Sequence, residues 1–228
     1  EGVYVSNAAA AGAWVRQYVG PVSVKWFGAK GDGVTNDDAA FAAALSFVTA
    51  TASAIAIGWG AGGLLIPKSD GKYMLTTPLE VATGVEIFGE NGTFRGASAT
   101  ILQFTGCAGI RVQRYNTEGE SGVSSPTHQA GDATIIRNLT LLGDWVSGNA
   151  NNTMHAIQLR ASAHIEHVNI SSFRGDGIHI FAAAGGGAGS EGNANQFSIR
   201  NVSAGRCRNG LFVDGPDANA GCVSLSDF

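Results

Sequence analysis

The amino-acid sequence predicts an all-β protein, a parallel β-solenoid with a short α-helix near its N-terminal end. Three observations predict this fold class. Two interleaved series of short strands recur along the chain, most of these strands begin at a glycine or alanine, and their apolar residues alternate with polar ones. Such alternation is typical of a strand with one buried face, and recurrence every 20–50 residues is the signature of a solenoid.

The first series contains four strands whose leading apolar residues lie 29, 34 and 26 positions apart: Ile136, Ile165, Ile199 and Leu225. The second series interleaves with it, with leading residues Ile110, Ile157, Ile178 and Leu211. Two short strands per repeat, with no helix between them, favour a β-solenoid over a leucine-rich or helical repeat. Loops rich in Gly, Ser and Asn explain the variable spacing, and they occupy residues 114–133, 143–154 and 182–194.

A glycine- and aspartate-rich segment, WFGAKGDGVTNDD at 26–38, precedes the only predicted helix. It lacks the Gly-Lys-Ser/Thr ending of a phosphate-binding loop and the acidic spacing of a calcium-binding EF-hand. We therefore expect a turn followed by a helix cap, with Thr35, Asn36 or Asp37 accepting from the first helical N–H groups. The helix is predicted over residues 37–48, with an apolar stripe at Phe41, Leu45 and Val48.

Composition limits the function classes. The chain has 228 residues, 33 glycines, 14% charged residues and a net charge of −4. This length suits one β-rich domain, and the weakly acidic balance argues against nucleic acid as a partner. No apolar run is long enough for a membrane span, so no membrane insertion is expected. The three cysteines form no CxxC pair, and we expect buried free thiols, with a Cys207–Cys222 bond as the alternative. No metal and no cofactor are predicted.

The segment VKWFGAKGDGVTNDDAAFAAAL closely resembles the opening of the pectate-lyase-like superfamily. Four later segments continue the resemblance: Gly63–Pro67, Gly71–Leu75, Pro78–Val81 and Gly84–Gly89. The resemblance covers roughly residues 22–104 and implies a right-handed parallel β-helix whose N-terminal mouth is closed by a non-catalytic motif. The lead-in GAWVRQY at 12–18 resembles the segment that precedes such helices in phage tail spikes, and glycoside-hydrolase-28-related proteins are also similar. The catalytic motifs of polygalacturonases and the calcium cluster of pectate lyases are not recognisable.

The predicted domain organisation has two parts. Residues 1–21 form a lead-in segment from a preceding module, and residues 22–228 form the β-helix domain. The last strand of the first series reaches Phe228 at the end of the sequence, so we expect the β-helix to be truncated at its C-terminal end.

Alternation also predicts which side chains face outward from the second series. One outer column contains Arg111, Gln158, His179 and Phe212, and a parallel column contains Gln113, Arg160, Phe181 and Asp214. Aromatic faces beside charged groups suit a sugar-binding groove. We predict that substrate is bound by Arg111, Gln158, Arg160, Phe181 and Phe212, and the alternative is an ordinary solvated sheet face.

Candidate catalytic residues lie in and beside the same columns: Asp176, His179 and Asp214. Histidine is suited to proton transfer near neutral pH, and carboxylates serve as acids or bases. Asp176 aligns with His155 and Asn209 of the neighbouring repeats, so its alternative interpretation is a turn residue. Asn138, His167, Asn201 and Asp227 share a position in the first series, and there an internal polar ladder is favoured over a metal or catalytic role for His167.

Two function classes follow. One is recognition and depolymerisation of a bacterial surface or extracellular polysaccharide, by a phage tail-spike-like protein or a secreted lyase or hydrolase. The other is a non-catalytic structural or receptor-binding fibre or adhesin. Both imply an extracellular or virion location. The resemblance to tail spikes implies a homotrimer and other virion tail proteins as partners, because apolar outer residues would be buried between subunits.

Overall fold

The structure of the protein is a computed structural model, which describes residues 3–6, 13–54, 63–82, 84–90, 99–113, 134–181, 197–214 and 223–226. It is a right-handed parallel β-helix, as the sequence predicts. The lead-in contains β1 (Tyr4–Ser6) and β2 (Ala13–Val15), which pair antiparallel. The strands of the largest sheet are β3 (Val22–Ser23), β4 (Gly63–Ile66), β5 (Tyr73–Leu75), β7 (Glu86–Gly89), β8 (Ile101–Phe104), β10 (Thr134–Leu142), β12 (Ala163–Ser171), β14 (Phe197–Gly205) and β16 (Val223–Ser226). The five-stranded sheet contains β6 (Leu79–Ala82), β9 (Ile110–Gln113), β11 (Ile157–Leu159), β13 (Ile178–Phe181) and β15 (Leu211–Asp214).

Both predicted strand series are confirmed in register. In the largest sheet, Ile136 pairs with Ile165, Ile165 with Ile199, and Ile199 with Leu225. In the five-stranded sheet the partners run in the order Ile110, Ile157, Ile178 and Leu211. The isoleucines of both series are buried, so each turn of the β-helix, here called a coil, stacks its apolar side chains on those of the next coil.

The long strands β10, β12 and β14 each bend at their fifth residue, where the backbone becomes left-handed. Asn138, His167 and Asn201 have φ of 59°, 52° and 49°. Asparagine tolerates this conformation better than most residues. The side chains of Asn201 and His167 contact each other, with 3.1 Å between Nδ2 and Nε2. The predicted polar ladder is therefore present, but it is not internal as expected, because these side chains are half-buried. Asp227 lies outside the described residues.

One helix, α1 (Asp38–Ala54), covers the N-terminal mouth of the β-helix after a short 3₁₀ turn at Val24–Phe27. The predicted apolar stripe is buried, and the Phe41 ring meets the Tyr73 ring edge-on with 5.5 Å between centroids. The helix continues beyond the predicted end at residue 48. No helix among the described residues has both the length and the apolar character that spanning a bilayer requires.

The glycine- and aspartate-rich segment is a turn and helix cap, as predicted. Asn36 Oδ1 accepts from the Asp38 N–H at 2.8 Å, at the start of α1. Asp32 folds the loop by accepting from Val34 and Thr35. Asp37 is buried and accepts three backbone N–H groups, those of Lys30, Gly31 and Met74. The hydrogen bonds of this segment therefore connect α1 to the first coil.

The lead-in segment also contacts the 3₁₀ turn at Val24–Phe27, which precedes α1. The Arg16 N–H donates to the Val3 carbonyl at 2.8 Å, and the Arg16 guanidinium lies 4.8 Å above the Trp26 ring. Tyr18 meets the same indole edge-on at 5.2 Å. The assignment of residues 1–21 to a preceding module stays a prediction.

Candidate functional site

The outer face of the five-stranded sheet carries the side chains that the sequence placed there. Register puts Arg111, Gln158, His179 and Phe212 in one column, as predicted. Glu80 extends that column at β6, and its Oε1 lies 3.0 Å from Arg111 Nη1. Sequence reasoning missed Glu80, although β6 has the same alternation as the other strands.

The predicted second column begins with Gln113 and continues through Arg160, Phe181 and Asp214. Phe181 and Asp214 are paired residues of β13 and β15. The Arg160 guanidinium lies 5.5 Å from the centre of the Phe181 ring. For Gln113 the structure describes the backbone, which aligns with Ala82 of β6. The predicted neighbours therefore come together.

His179 is the centre of an aromatic cluster on this face. Its Nε2 lies 2.9 Å from Asp214 Oδ1, and its ring contacts those of Phe181, Phe212 and His155, the last at 4.1 Å. These neighbours leave His179 only 7% exposed, and its Nδ1 is buried without a hydrogen-bond partner. The Asp214 side chain is 46% exposed. Of His179 and Asp214, Asp214 is therefore the one that a dissolved ligand can reach.

Asp176 lies at the turn before β13 and is fully buried. Arg208 donates to it through two bonds, Nε to Oδ1 at 2.8 Å and Nη2 to Oδ2 at 2.5 Å. Asn209 Nδ2 also donates to Oδ1, at 2.8 Å. Burial opposes the charged carboxylate, but the hydrogen bonds from Arg208 and Asn209 outweigh it, so the pKa of Asp176 lies below its usual 3.8. This geometry favours the turn interpretation of Asp176 over proton transfer.

His155 faces Asp176 from the preceding coil and is also buried. Its Nδ1 accepts from the Asp176 N–H at 3.1 Å. Burial, together with the nearby His179 and Arg208, lowers the pKa of His155 to about 4 against the attraction of Asp176. The imidazole is therefore neutral at pH 7, and its Nδ1 also lies 3.1 Å from Asp176 Oδ2. Alignment of the repeats placed His155 opposite Asp176 but gave no sign of its contact with His179.

The nitrogen and oxygen atoms of His155, Asp176 and His179 lie within 4.8 Å of one another, which raises the question of a metal site. A tetrahedral zinc site needs ligand atoms about 2.0–2.2 Å from the ion, and so closer to each other than this spread. The guanidinium of Arg208 already occupies both oxygens of Asp176. The cluster therefore fits a closed ion-pair network better than a metal centre.

A second ion pair repeats the Asp176–Arg208 geometry in the preceding coil. Arg174 donates to Asp144 from Nε at 2.8 Å and from Nη2 at 2.5 Å. The Gly106 N–H donates to the same carboxylate at 2.8 Å. The two pairs span 30 and 32 residues, close to the length of one coil. That recurrence is the signal that could have revealed both pairs in the sequence.

The thiols of Cys107 and Cys207 are free and half-buried. Burial raises the pKa of Cys107 to about 11 and also raises that of Cys207, so neither forms a reactive thiolate at neutral pH. Cys222 lies outside the described residues.

The family comparison agrees with this architecture. Residues 21–225 match the family model described as rhamnogalacturonase A/epimerase, pectate lyase-like. No curated protein sequence matches the chain. A solved structure, the crystal structure of the Agl-KA catalytic domain, is 19% identical with a TM-score of 0.43, and the alignment covers 91% of this chain and 37% of that one. The chain thus spans little more than a third of that protein's length. Since the family model matches most of the sequence, the chain belongs to the rhamnogalacturonase A/epimerase, pectate lyase-like family, which confirms the resemblance of its opening segment.

Proposed function

We propose that this protein recognises a polysaccharide along the outer face of the five-stranded sheet and depolymerises it there. The observation that carries the proposal is the exposed Asp214 carboxylate, which lies 2.9 Å from His179 Nε2, while the His179 ring contacts Phe181 and Phe212. Aromatic rings stack on the apolar faces of sugars, and a carboxylate accepts from their hydroxyl groups. The family name, with its rhamnogalacturonase and epimerase, also concerns proteins that act on polysaccharides.

Two cations border the rings. Arg160 lies over Phe181 at 5.5 Å, and Arg208 lies over Phe212 at 5.2 Å. Each guanidinium occupies one side of its ring, so the rings are half-buried and fixed in orientation. Fixed aromatic side chains lose little conformational entropy when a ligand binds, which favours affinity.

The carboxylates of this face favour proton abstraction over two-carboxylate hydrolysis. Hydrolysis needs a second carboxyl group about 5–9.5 Å from the first. Among the described residues of the five-stranded sheet and its turns, Asp176 is buried under Arg208 and Asp144 is paired with Arg174. Glu80 is paired with Arg111 four strands away from Asp214. Four strand spacings amount to about 19 Å. Asp214 is therefore assigned as the base in a lyase-type reaction, with His179 positioning it.

The proton balance of such a step is simple. Asp214 takes a proton from the sugar carbon next to a carboxylate group, and that electron pair forms a carbon–carbon double bond while the bond to the glycosidic oxygen breaks. The departing oxygen takes a proton from water, so the products are a hydroxyl end and an unsaturated uronate end. A cation must stabilise the charge that develops on that carboxylate, and Arg160 is the candidate because it adjoins Phe181, the strand partner of Asp214.

A non-catalytic receptor-binding fibre or adhesin is the second candidate. The observation that favours it is the closure of the cluster beneath Asp214, where Asp176 is saturated by Arg208 and Asn209 and both histidines are buried. A closed network contributes rigidity and contains no second free acid. For either candidate we propose a phage tail-spike or secreted bacterial origin and an extracellular or virion location. We also propose a homotrimer with virion tail proteins as partners. Phe181 and Phe212 are half-buried within their own chain, so they supply less apolar surface for a trimer than the sequence suggests.

The test is incubation with a panel of pectic, capsular and exopolysaccharides, followed by binding, reducing-end and unsaturated-uronate absorbance measurements. The enzyme proposal predicts an absorbance increase that Asp214→Asn abolishes while the dissociation constant stays within about threefold. Binding without any product would favour the fibre. Equal turnover by wild type and Asp214→Asn would remove Asp214 from the reaction.

A further inference from the structure

The connection between β10 and β11 is an outward insertion. It has fourteen residues, 143–156, whereas the equivalent connections after β12 and β14 have six and five. The strand ends on both sides are in register, because Leu142 pairs with Ser171 before the loop and Ile157 pairs with Ile178 after it. The additional residues must therefore project from the coil.

The beginning of this loop is anchored to the coils on both sides. The Asp144 carboxylate binds Arg174 of the next coil and the Gly106 N–H of the previous one. The Trp145 N–H donates to the Ser172 carbonyl at 2.7 Å. The backbone at Trp145 is thus held in place before any ligand arrives.

Asn149 closes the tip of the loop. Its Oδ1 accepts from the Val146 N–H at 2.9 Å, and its Nδ2 donates to the Asp144 carbonyl at 3.1 Å. Farther on, the Asn151 N–H donates to the Arg174 carbonyl at 3.0 Å. This bonding leaves the Trp145 side chain 39% exposed and Val146 61% exposed, next to each other on a fixed backbone.

The chemistry of the loop selects its ligand. Asp144 is the only charged residue in 143–154, and Arg174 neutralises it. The other polar groups are hydroxyls and amides: Ser147, Asn149, Asn151, Asn152 and Thr153. The exposed indole offers on the order of 100 Å² of apolar surface, far below the roughly 800 Å² per partner of a stable protein interface. A small apolar surface among neutral hydrogen-bonding groups matches a single uncharged sugar ring.

We propose that Trp145 and Val146, here called the Trp145 platform, form a second carbohydrate subsite that stacks on a neutral sugar. Arg174 lies beside the platform and is equivalent to Arg208, which lies over Phe212 one coil later. The platform lies in the loop that enters β11, two strands before β15, so about 10 Å of coil spacing separates it from the level of Phe212. The idea that one polymer spans both sites rests on the proposed function, whereas binding of a neutral sugar at Trp145 does not.

The test uses the indole N–H signals of ¹⁵N-labelled protein, which has four tryptophans. The signal missing from Trp145→Phe identifies Trp145. The protein is titrated with methyl glycosides of glucose, galactose, mannose and rhamnose, and separately with those of galacturonate and glucuronate. We expect a saturable shift of the Trp145 signal with at least one neutral glycoside and none with the uronates. Val34→Ala, an exposed apolar substitution in the cap segment, should leave the titration unchanged.

A Trp145 signal that no neutral glycoside shifts, or that the uronates shift equally, would overturn the proposal. The melting temperature of Trp145→Phe should match wild type, which separates lost binding from lost folding. A shift of the Trp145 signal combined with polymer binding that Phe212→Ala does not weaken would leave the platform standing and refute the main face. Polymer binding that depends on Phe212, with an unresponsive Trp145, would refute the platform alone.

Discussion

Arg208 holds Asp176 with two parallel hydrogen bonds, and the carboxylate that it neutralises is fully buried. Arg174 holds Asp144 in the same geometry, but that carboxylate is partly exposed. A buried charge that loses its partner has no water to replace it, whereas an exposed one does. The two pairs therefore form a natural matched comparison of burial.

The first prediction is that Arg208→Ala destabilises the protein more than Arg174→Ala. We expect Arg208→Ala to lower the free energy of unfolding by about 2–4 kcal/mol, a range below the cost for fully buried pairs because Arg208 itself is partly exposed. Arg174→Ala should cost clearly less, because water can solvate the partly exposed Asp144 carboxylate. Urea unfolding of the three proteins at pH 7 measures both values. Equal losses would show that burial of Asp176 does not set the strength of its pair.

The second prediction concerns pH and His155. Its pKa is about 4 in the folded protein and about 6.5 in the unfolded chain, so the unfolded chain takes up the proton first as the pH falls. Stability from this group is complete above pH 6.5 and declines as the pH approaches 4. Through this group, a fall in pH from 7 to 5 should lower the free energy of unfolding by about 2 kcal/mol. The groups that face His155 are His179, Asp176 and Arg208.

Urea unfolding of His155→Asn at the two pH values checks this prediction, because the Asn amide oxygen can still accept from the Asp176 N–H. The variant should lose most of the difference, and His164→Asn, a change at an exposed histidine, should keep it. The carboxylates of Asp38, Asp144 and Asp176 also have lowered pKa values, but they change the free energy of unfolding mainly below about pH 3.8, which is outside this range. An unchanged pH dependence in His155→Asn would contradict the assignment.

The third prediction separates two aspartates of the cap segment. Asp37→Ala leaves the buried N–H of Gly31 and the part-buried N–H groups of Lys30 and Met74 without their acceptor, and it should cost about 2–4 kcal/mol of stability. Asp32 lies on the surface, where its hydrogen bonds with Val34 and Thr35 lower its pKa to about 2. Asp32→Asn should leave polysaccharide binding and turnover unchanged, as expected for a structural loop. Loss of turnover by folded Asp32→Asn would show that the loop has a catalytic role.

The repeat pattern was sufficient to predict the coil architecture and its register. Ile136, Ile165 and Ile199 stack because alternation and loop length can be read directly from the chain. The same pattern placed His179 and Phe212 in one outer column. It could not predict that His179 is buried, because the cover comes from His155, Phe181 and Phe212, which approach from three different coils.

The ion pairs were harder to predict for a related reason. Asp176 and Arg208 meet at a corner between sheets, where no alternation marks the side chain direction. Their partnership depends on two turns of nearly equal length in successive coils. The Trp145 platform has no sequence signal beyond the composition of its loop, because its rigidity comes from backbone bonds to Ser172 and to the side chain of Asn149.

The most direct test of the central claim compares two phenylalanines that differ in the sheet they occupy. Phe212 lies on the five-stranded sheet under Arg208, and Phe88 lies on the largest sheet with Arg137 4.7 Å from its ring centre. Both are half-buried outward residues, so their substitution by Ala should affect folding similarly. The measurement is the dissociation constant, by titration calorimetry, for the polysaccharide of the panel that wild type binds most tightly. We predict that Phe212→Ala weakens binding by about 1–3 kcal/mol and that Phe88→Ala leaves it unchanged; equal affinities of wild type and Phe212→Ala would contradict the assignment of the binding face.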